Sequence, residues 1–148
     1  MSYTNLNYHI VFSTKARKPF LSDEQVQGVI KYISGVLSNR KGCLFLGNGV
    51  ADHIHLMCSL HPESCISEIA RSIKANSSRW IHETYSQLQD FDWQDGYSAF
   101  SVSYSGVDRV TQYIRGQQEH HKKMTFEEEL LLLLKKHKIP FKPEYVFG

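Results

Sequence analysis

The spacing of apolar residues along the chain predicts four strands separated by helices. In the first strand, Leu6, Tyr8, Ile10 and Phe12 alternate with other residues, which indicates one buried face. A turn-forming run, Gly47-Asn48-Gly49, is predicted to join the second strand to the third. The four predicted strands cover residues 3–12, 43–46, 53–60 and 97–104.

Helical periodicity fills the intervals between and after these strands. Two predicted helices begin with a capping box, formed by Ser22 with Gln25 and by Thr125 with Glu128. Another is predicted to run unbroken to about Lys122. The four predicted helices begin near Ser22, Ser64, Ser105 and Thr125.

The order of these elements is strand, helix, strand, strand, helix, strand, followed by two helices. This order is typical of the split βαβ, ferredoxin-like arrangement. We therefore predict an α+β fold with one antiparallel sheet, helices packed on one face and a C-terminal helical addition. The tail from residue 140 is expected to be extended. No repeat or long linker divides the sequence, so we predict a single domain over residues 1–148.

Composition adds limits to this picture. The formal net charge of +2 is too small to indicate nucleic-acid binding without local clusters of basic residues. Cys43, Cys58 and Cys65 have no C-x-x-C spacing, so we expect reduced thiols, with Cys58 and Cys65 packed against apolar segments. The longest apolar run, residues 130–134, is too short to cross a bilayer. A cytoplasmic protein without a membrane segment is therefore expected.

The third predicted strand carries a His-x-His motif, His53-Ile54-His55. Because side chains alternate along a strand, both imidazoles are predicted to lie on one face, where they can chelate one metal ion. The motif alone is equally compatible with two exposed strand histidines. In the metal-binding interpretation, the two side chains face a cleft.

The third predicted helix places Tyr113 and Gln117 one turn apart. Alone, Tyr113 is compatible with an ordinary residue at the margin of the core, its hydroxyl in water. Gly116 lies between the two residues and weakens a helix by about 1 kcal/mol relative to alanine. It is either tolerated or helps this helix to shift.

Taken together, these motifs make the chain resemble the single-tyrosine HUH transposases of small bacterial insertion sequences, REP-associated relatives included. The resemblance covers nearly the whole sequence. Besides the His-x-His pair and the later Tyr-x-x-x-Gln, it is carried by Tyr8-His9-Ile10-Val11-Phe12 with Lys15 and Arg17, by Trp93-Gln94-Asp95-Gly96-Tyr97 with Phe100-Ser101-Val102-Ser103, and by Gln117-Gln118-Glu119-His120-His121 leading into Thr125-Phe126-Glu127-Glu128-Glu129.

The resemblance implies a role for each matching residue. Tyr113 corresponds to the nucleophile, His53 and His55 to paired metal ligands, and Gln117 to a third ligand. The implied reaction is metal-dependent cleavage and rejoining of single-stranded DNA at hairpin-bearing ends through a 5′-phosphotyrosine. A ligand set of nitrogen and oxygen without thiolates suits Mg²⁺ or Mn²⁺ better than structural zinc.

The resemblance also implies a homodimer in which the tyrosine helix of one subunit reaches the histidine pair of the other. The run Leu130 to Leu134 agrees with such an assembly, because five consecutive leucines on one helix cover more than one face. The alternative is a helix wedged between the sheet and the third helix, which buries both sides within one chain.

Three clusters of basic residues are candidates for the DNA surface, and each is also compatible with a solvated face. The cluster after the first strand is the strongest candidate, because little else explains it. The candidate residues are Lys15, Arg17 and Lys18, then Arg71, Lys74 and Arg79, then Lys122 and Lys123.

Three other functions stay open on the sequence. A noncatalytic nucleic-acid-binding module would use the basic and aromatic residues without the histidine pair. A metallohydrolase would use the histidines with a water nucleophile and would not need the hydroxyl of Tyr113. A domesticated relative acting on chromosomal repeat hairpins would share all of the chemistry.

Overall fold

The computed structural model describes residues 1–147. Its four strands and six helices follow the predicted order, with the third predicted helix divided in two and a short helix added near the C-terminus. The elements are β1 (Asn7–Ser13), α1 (Asp23–Asn39), β2 (Cys43–Val50), β3 (His53–Ser59), α2 (Ile66–Thr84), β4 (Ser98–Val102), α3 (Val107–Arg115), α4 (Gln117–His120), α5 (Phe126–Lys136) and α6 (Pro143–Val146).

The four strands form one antiparallel sheet in the order β2-β3-β1-β4. One face carries the main core, to which α1 and α2 contribute their apolar stripes. Phe126, Leu130 and Leu134 of α5 pack with Val11 and Phe100 in a smaller cluster. The predicted α+β class, with an antiparallel sheet and a C-terminal helical addition, is confirmed.

Strand β1 lies in the middle of this sheet and is buried on both sides. Ile10 and Phe12 join the main core, while His9 and Val11 point to the other face. Leu6, which the alternating pattern placed inside, lies before the strand and is 37% exposed. A central position explains why the polar residues of β1 are buried as well.

The prediction of a turn at Gly47-Asn48-Gly49 is wrong, because these residues continue β2 and the reversal comes at residues 51–52. Glycine is required at positions 47 and 49 because neighbouring atoms lie too close to the backbone to leave room for a Cβ atom. A Cβ on Gly47 would lie 2.6 Å from Cγ2 of Ile30, and one on Gly49 would lie 2.5 Å from the carbonyl oxygen of His53. Spacing alone does not distinguish this use of glycine from a turn.

The predicted unbroken third helix is also wrong. It begins at Val107, and its first segment ends at Arg115, where Gly116 has φ −86° and ψ 13°. The chain then resumes a helix at Gln117. The tail expected to be extended contains α6.

The five leucines of α5 do not share one environment. Leu130 and Leu134 are buried, whereas Leu132 is 53% exposed.

The two predicted capping boxes also differ. Both hydrogen bonds of the Ser22–Gln25 box are present, while Thr125 accepts a hydrogen bond from the backbone N–H of Glu128.

All three cysteines are free thiols. Cys58 is buried, and burial raises the pKa of its thiol to about 12. Cys43 and Cys65 are exposed, so the expectation that Cys65 is packed is wrong.

Within residues 1–147, no helix combines the length and apolar character that crossing a membrane requires.

Replacing Gly49 with alanine is expected to lower the free energy of unfolding by about 1–3 kcal/mol, because the new methyl group overlaps the backbone of the next strand. The matched control is Gly35→Ala, in the exposed part of α1, where an added Cβ meets nothing within 4 Å. That variant is expected to gain about 0.5–1 kcal/mol. Urea denaturation of both variants measures the difference, and equal stabilities would contradict the close-approach explanation.

Candidate active site

The second face of the sheet carries a row of polar side chains. His53 and His55 point to this face from β3, and their partners in register on β1 are Ser13 and Val11. Both imidazoles are 0% exposed, because α3, α4 and α5 lie over them. The two side chains share a face as predicted, but they do not line an open cleft.

The carboxylate of Glu129, on α5, lies at the centre of the site. Its Oε1 atom is 3.0 Å from Nε2 of His55, 3.0 Å from Nε2 of His121 and 3.3 Å from Nε2 of His53. The Nε2 atoms of His53 and His121 are 3.0 Å apart. One ligand atom from each of these four residues lies within 4.8 Å of all the others.

The second nitrogen of each imidazole has its own partner. Such outer contacts fix the ring and its tautomer, and they are typical of histidines that bind metals. Where the partner is an oxygen, Nδ1 donates, so Nε2 of a protonated ring donates to Glu129 and Nε2 of a neutral ring offers a lone pair to a cation. The contacts are His53 Nδ1 with Asp52 Oδ1 at 2.7 Å, His121 Nδ1 with the carbonyl of Met124 at 2.8 Å, and His55 Nδ1 with His9 Nε2 at 2.8 Å.

The electrostatics follow from this packing. Burial lowers the pKa of His55 to about 4 and that of His9 to about 3, so both rings are neutral at pH 7. Burial also acts to lower the pKa of His53, but hydrogen bonds to the carboxylates of Asp52 and Glu129 outweigh it and raise that pKa. Burial acts to raise the pKa of Glu129, and hydrogen bonds from the three imidazoles hold it well below its usual range instead.

This donor set fits a divalent cation. Three imidazole nitrogens and an ionised carboxylate converge on one point, and such a group needs a positive charge, from a protonated ring or from a bound cation. Among the described residues, these four form the one group of three or more His, Cys, Asp or Glu side chains placed to hold an ion.

Tyr113 lies beside the same carboxylate. Its hydroxyl donates a hydrogen bond to Oε2 of Glu129 and is 3.4 Å from Nε2 of His120. Burial, together with the carboxylate, raises the pKa of Tyr113 above its ordinary value. The phenol is therefore protonated in this arrangement.

Gln117 is fully buried between the tyrosine and the histidines. Its Nε2 donates to Oε2 of Glu129 at 3.1 Å, and its Oε1 is 3.3 Å from Nε2 of His53. The structure thus brings together all four residues that the sequence suggested for the site: Tyr113, His53, His55 and Gln117.

Asn48 positions the break between α3 and α4. Its Nδ2 donates to the carbonyl of Ile114 at 2.9 Å, and its Oδ1 accepts from Nε2 of Gln118 at 2.8 Å. Without these bonds the last carbonyls of α3 would lack a partner on this side. Asn48 therefore ties the tyrosine helix to β2.

Sequence reasoning missed Glu129, His121, His120 and His9. Glu129 ends a run of three glutamates in the first turn of α5, where acidic residues are expected to face water. One signal was present: His120 and His121 follow Gln117 by three and four residues, which is about one helical turn.

The basic residues have different environments. Lys15 and Arg17 line a cavity of about 300 Å³, Arg71 and Lys74 line one of about 510 Å³, and both cavities share Trp93, Gln94 and Asp95. The two clusters thus lie on either side of one segment. Lys18 and Lys123 are exposed, and Arg79 contacts Asn76.

Several basic side chains are engaged within the chain, among them Lys74, which donates to the carbonyl of Gly96 at 2.7 Å. Arg17 donates to the carbonyl of Phe147 at 2.9 Å and pairs with Glu127 at 3.0 Å. Lys122 pairs with Glu119 at 2.9 Å. Arg17 therefore holds the C-terminal segment against the loop after β1.

A family model described as "Transposase IS200 like" matches residues 2–117. The ISDra2 transposase TnpA of Deinococcus radiodurans is 24% identical over 119 residues, which are 77% of this chain and 85% of that protein. The transposase for insertion sequence element IS200 of Salmonella typhimurium is 26% identical over 121 residues, 78% of each chain.

Solved structures show the same fold. A Deinococcus radiodurans transposase superposes with a TM-score of 0.66 at 23% identity, covering 78% of this chain and 93% of that one. A REP-associated tyrosine transposase bound to a REP hairpin gives a TM-score of 0.62 at 18% identity, covering 82% and 72%.

We expect His55→Ala and Glu129→Gln each to weaken Mn²⁺ binding at least tenfold, because each removes a converging ligand atom. Isothermal titration calorimetry on the purified protein measures this. The control is His61→Ala, whose side chain lies outside the cluster. Circular dichroism establishes that each variant is folded, and unchanged affinity in both folded cluster variants would contradict the metal site.

Proposed function

The chain belongs to the IS200-like transposase family, and we propose that it cleaves and rejoins single-stranded DNA through a covalent bond to Tyr113. One observation carries the proposal: the hydroxyl of Tyr113 donates to the carboxylate on which His53, His55 and His121 converge. The proposed nucleophile and the proposed cation site therefore contact the same buried carboxylate, that of Glu129. The substrate we propose is a hairpin-bearing end, and the REP hairpin bound by a structural relative supports this class of DNA.

The proposed cofactor is Mg²⁺ or Mn²⁺, held by His53, His55, His121 and Glu129, with Gln117 as the amide ligand that the sequence suggested. When bound, the ion polarises the scissile phosphate and offsets negative charge in the transition state. Imidazole nitrogens are softer ligands than magnesium usually takes, so we expect tighter binding of manganese.

In the proposed reaction, the phenolic oxygen of Tyr113 attacks phosphorus. A bond from this oxygen to phosphorus forms, the bond from phosphorus to O3′ breaks, and the products are a 5′-phosphotyrosine and a free 3′-hydroxyl. The bond to the enzyme retains the energy of the broken ester. Attack by the 3′-hydroxyl of another strand therefore reseals the DNA without ATP.

The phenolic proton has two acceptors within reach, Oε2 of Glu129 and Nε2 of His120. Because the pKa of Glu129 is held low, its carboxylate retains a proton poorly. The side chain of His120 is 31% exposed, so it can pass the proton to water. We assign the orienting hydrogen bond to Glu129 and the removal of the proton to His120.

The DNA surface that we propose lies around residues 93–97, between the clusters of Lys15, Arg17 and Lys18 and of Arg71, Lys74 and Arg79. Tyr97 adds an exposed aromatic ring to the basic side chains there, whereas Trp93 packs in the main core and supports the segment from inside. Grooves of this kind bind single-stranded DNA, because the basic side chains contact its phosphates and the aromatic side chains stack on its bases. Lys122 and Lys123 extend the proposed surface beyond α4.

Tyr113→Phe is expected to abolish the covalent adduct and cleavage, because the ring is kept and only the attacking oxygen is lost. The test incubates labelled single-stranded hairpins with protein and Mn²⁺, and denaturing gels detect the adduct. Binding of the hairpin should change by less than about twofold. Tyr104→Phe is the control, since that tyrosine is 79% exposed.

The outcomes separate the alternative functions. Cleavage by the Phe variant would favour a metallohydrolase with a water nucleophile. Binding without cleavage by the unmodified protein would favour a noncatalytic module. Preference for chromosomal repeat hairpins over element ends would identify a domesticated relative.

We also propose that the protein acts as a homodimer with shared active sites. Within one chain, Tyr113 already lies at Glu129, so sharing requires α3 to swing at Gly116 toward the partner's histidine pair. The half-exposed Leu132 of α5 is available for packing between subunits.

Mixing Tyr113→Phe with His53→Ala protein tests the shared site. Under conditions that allow subunit exchange, the mixture should recover up to about a quarter of the normal cleavage rate, because half of the dimers are mixed and each has one intact site. Each variant alone should be inactive. A monomeric mass with no recovery would show that Tyr113 acts within its own chain.

A further inference from the structure

A cavity of about 340 Å³ adjoins Tyr113, and Glu129, His120 and His9 of the candidate active site also line it. Helix α3 lines it with Arg109, Val110 and Tyr113, and α5 lines it with Leu132, Leu133 and Lys136. Ligand pockets usually occupy about 300–1,000 Å³. This cavity therefore has room for one nucleotide-sized group rather than for a duplex.

Away from Glu129 and the histidines, the lining combines apolar walls with two cations. Val110 and Leu133 are half-buried, while Arg109 and Lys136 are exposed. Within residues 1–147, neither of these two basic side chains pairs with a carboxylate, in contrast to Arg17 and Lys122. Proteins that bind single-stranded nucleic acids commonly combine these two features: apolar side chains contact a base, and basic side chains contact the phosphates.

We propose that this cavity binds the nucleotide on the 3′ side of the cut, with its base against Val110 and Leu133 and the adjoining phosphates at Arg109 and Lys136. The assignment rests on the proposed tyrosine mechanism with Tyr113 beside Glu129 of its own chain, as in this structure. In an in-line displacement the leaving O3′ lies opposite the attacking oxygen, so the 5′ strand departs from Tyr113. The 3′ nucleotide keeps the phosphate that becomes bonded to Tyr113, and it must stay beside that residue.

This placement gives the cavity a role in both half-reactions. The cut 3′ strand is held by one covalent bond and by the nucleotide subsite until a new 3′-hydroxyl arrives. Fixing the base next to the phosphotyrosine restricts its rotation and orients the phosphorus for the second attack. The subsite thus positions the substrate, while the histidines and Glu129 serve the chemistry.

The test uses a single-stranded hairpin oligonucleotide whose cut position is first mapped from the adduct of the unmodified protein. Two versions carry one abasic residue, either directly 3′ or directly 5′ of the cut. Tyr113→Phe protein binds these without cutting them, so affinity is measured directly. Loss of the 3′ base should weaken binding about tenfold, whereas loss of the 5′ base should change it less than twofold.

A second arm tests the cations. Arg109→Gln and Lys136→Gln should each weaken binding severalfold and reduce the dependence of log affinity on log salt by about one. Lys135→Gln is the control, an exposed neighbour on α5 that does not line the cavity. All three changes are on the surface, so loss of folding does not confound them.

The outcomes distinguish this inference from the proposed function. Equal affinity for the two abasic oligonucleotides, with a normal adduct, would overturn the 3′ subsite and leave the tyrosine mechanism in place. So would Arg109 and Lys136 variants that match Lys135→Gln. Absence of any adduct from the unmodified protein would reject the tyrosine mechanism and the subsite with it.

Discussion

The carboxylate of Glu129 is the group on which the second face of the sheet depends. It is 1% exposed, and four imidazoles, an amide and a phenol contact its two oxygens. A buried ionised carboxylate is tolerated only when its hydrogen bonds are satisfied. Those partners come from β3, α3, α4 and the segment after it, so one side chain fixes four parts of the chain relative to one another.

The two faces of the sheet differ in chemical character. Its first face is apolar and packs against α1 and α2, and it supplies most of the buried hydrophobic surface. Its second face buries polar side chains, which contribute less to stability and specify one arrangement. The same alternation that sends Ile54 and Leu56 into the core sends His53 and His55 to the site.

The tyrosine is held less firmly than the histidines. His53 and His55 belong to a central strand, whereas Tyr113 lies on a nine-residue helix that ends at Gly116. Asn48 tethers the end of this helix, and Glu129 holds the phenol in its protonated form. In the proposed reaction Tyr113 binds DNA and later releases it, a role that suits a short helix joined to the sheet at its end.

Features that depend on neighbours a few residues apart could be predicted from the amino-acid sequence. Strand alternation put His53 and His55 on one face, and the Ser22 capping box began α1 where predicted. Tyr113 and Gln117 both reach Glu129 even though the helix predicted to carry them breaks at Gly116. Tertiary structure decided the rest. Glu129 reaches His55 across 74 residues, Gly49 is required by the backbone of the next strand, and Arg17 contacts Phe147 at the far end of the chain. Periodicity carries no information about such contacts, because they arise only when distant segments pack together.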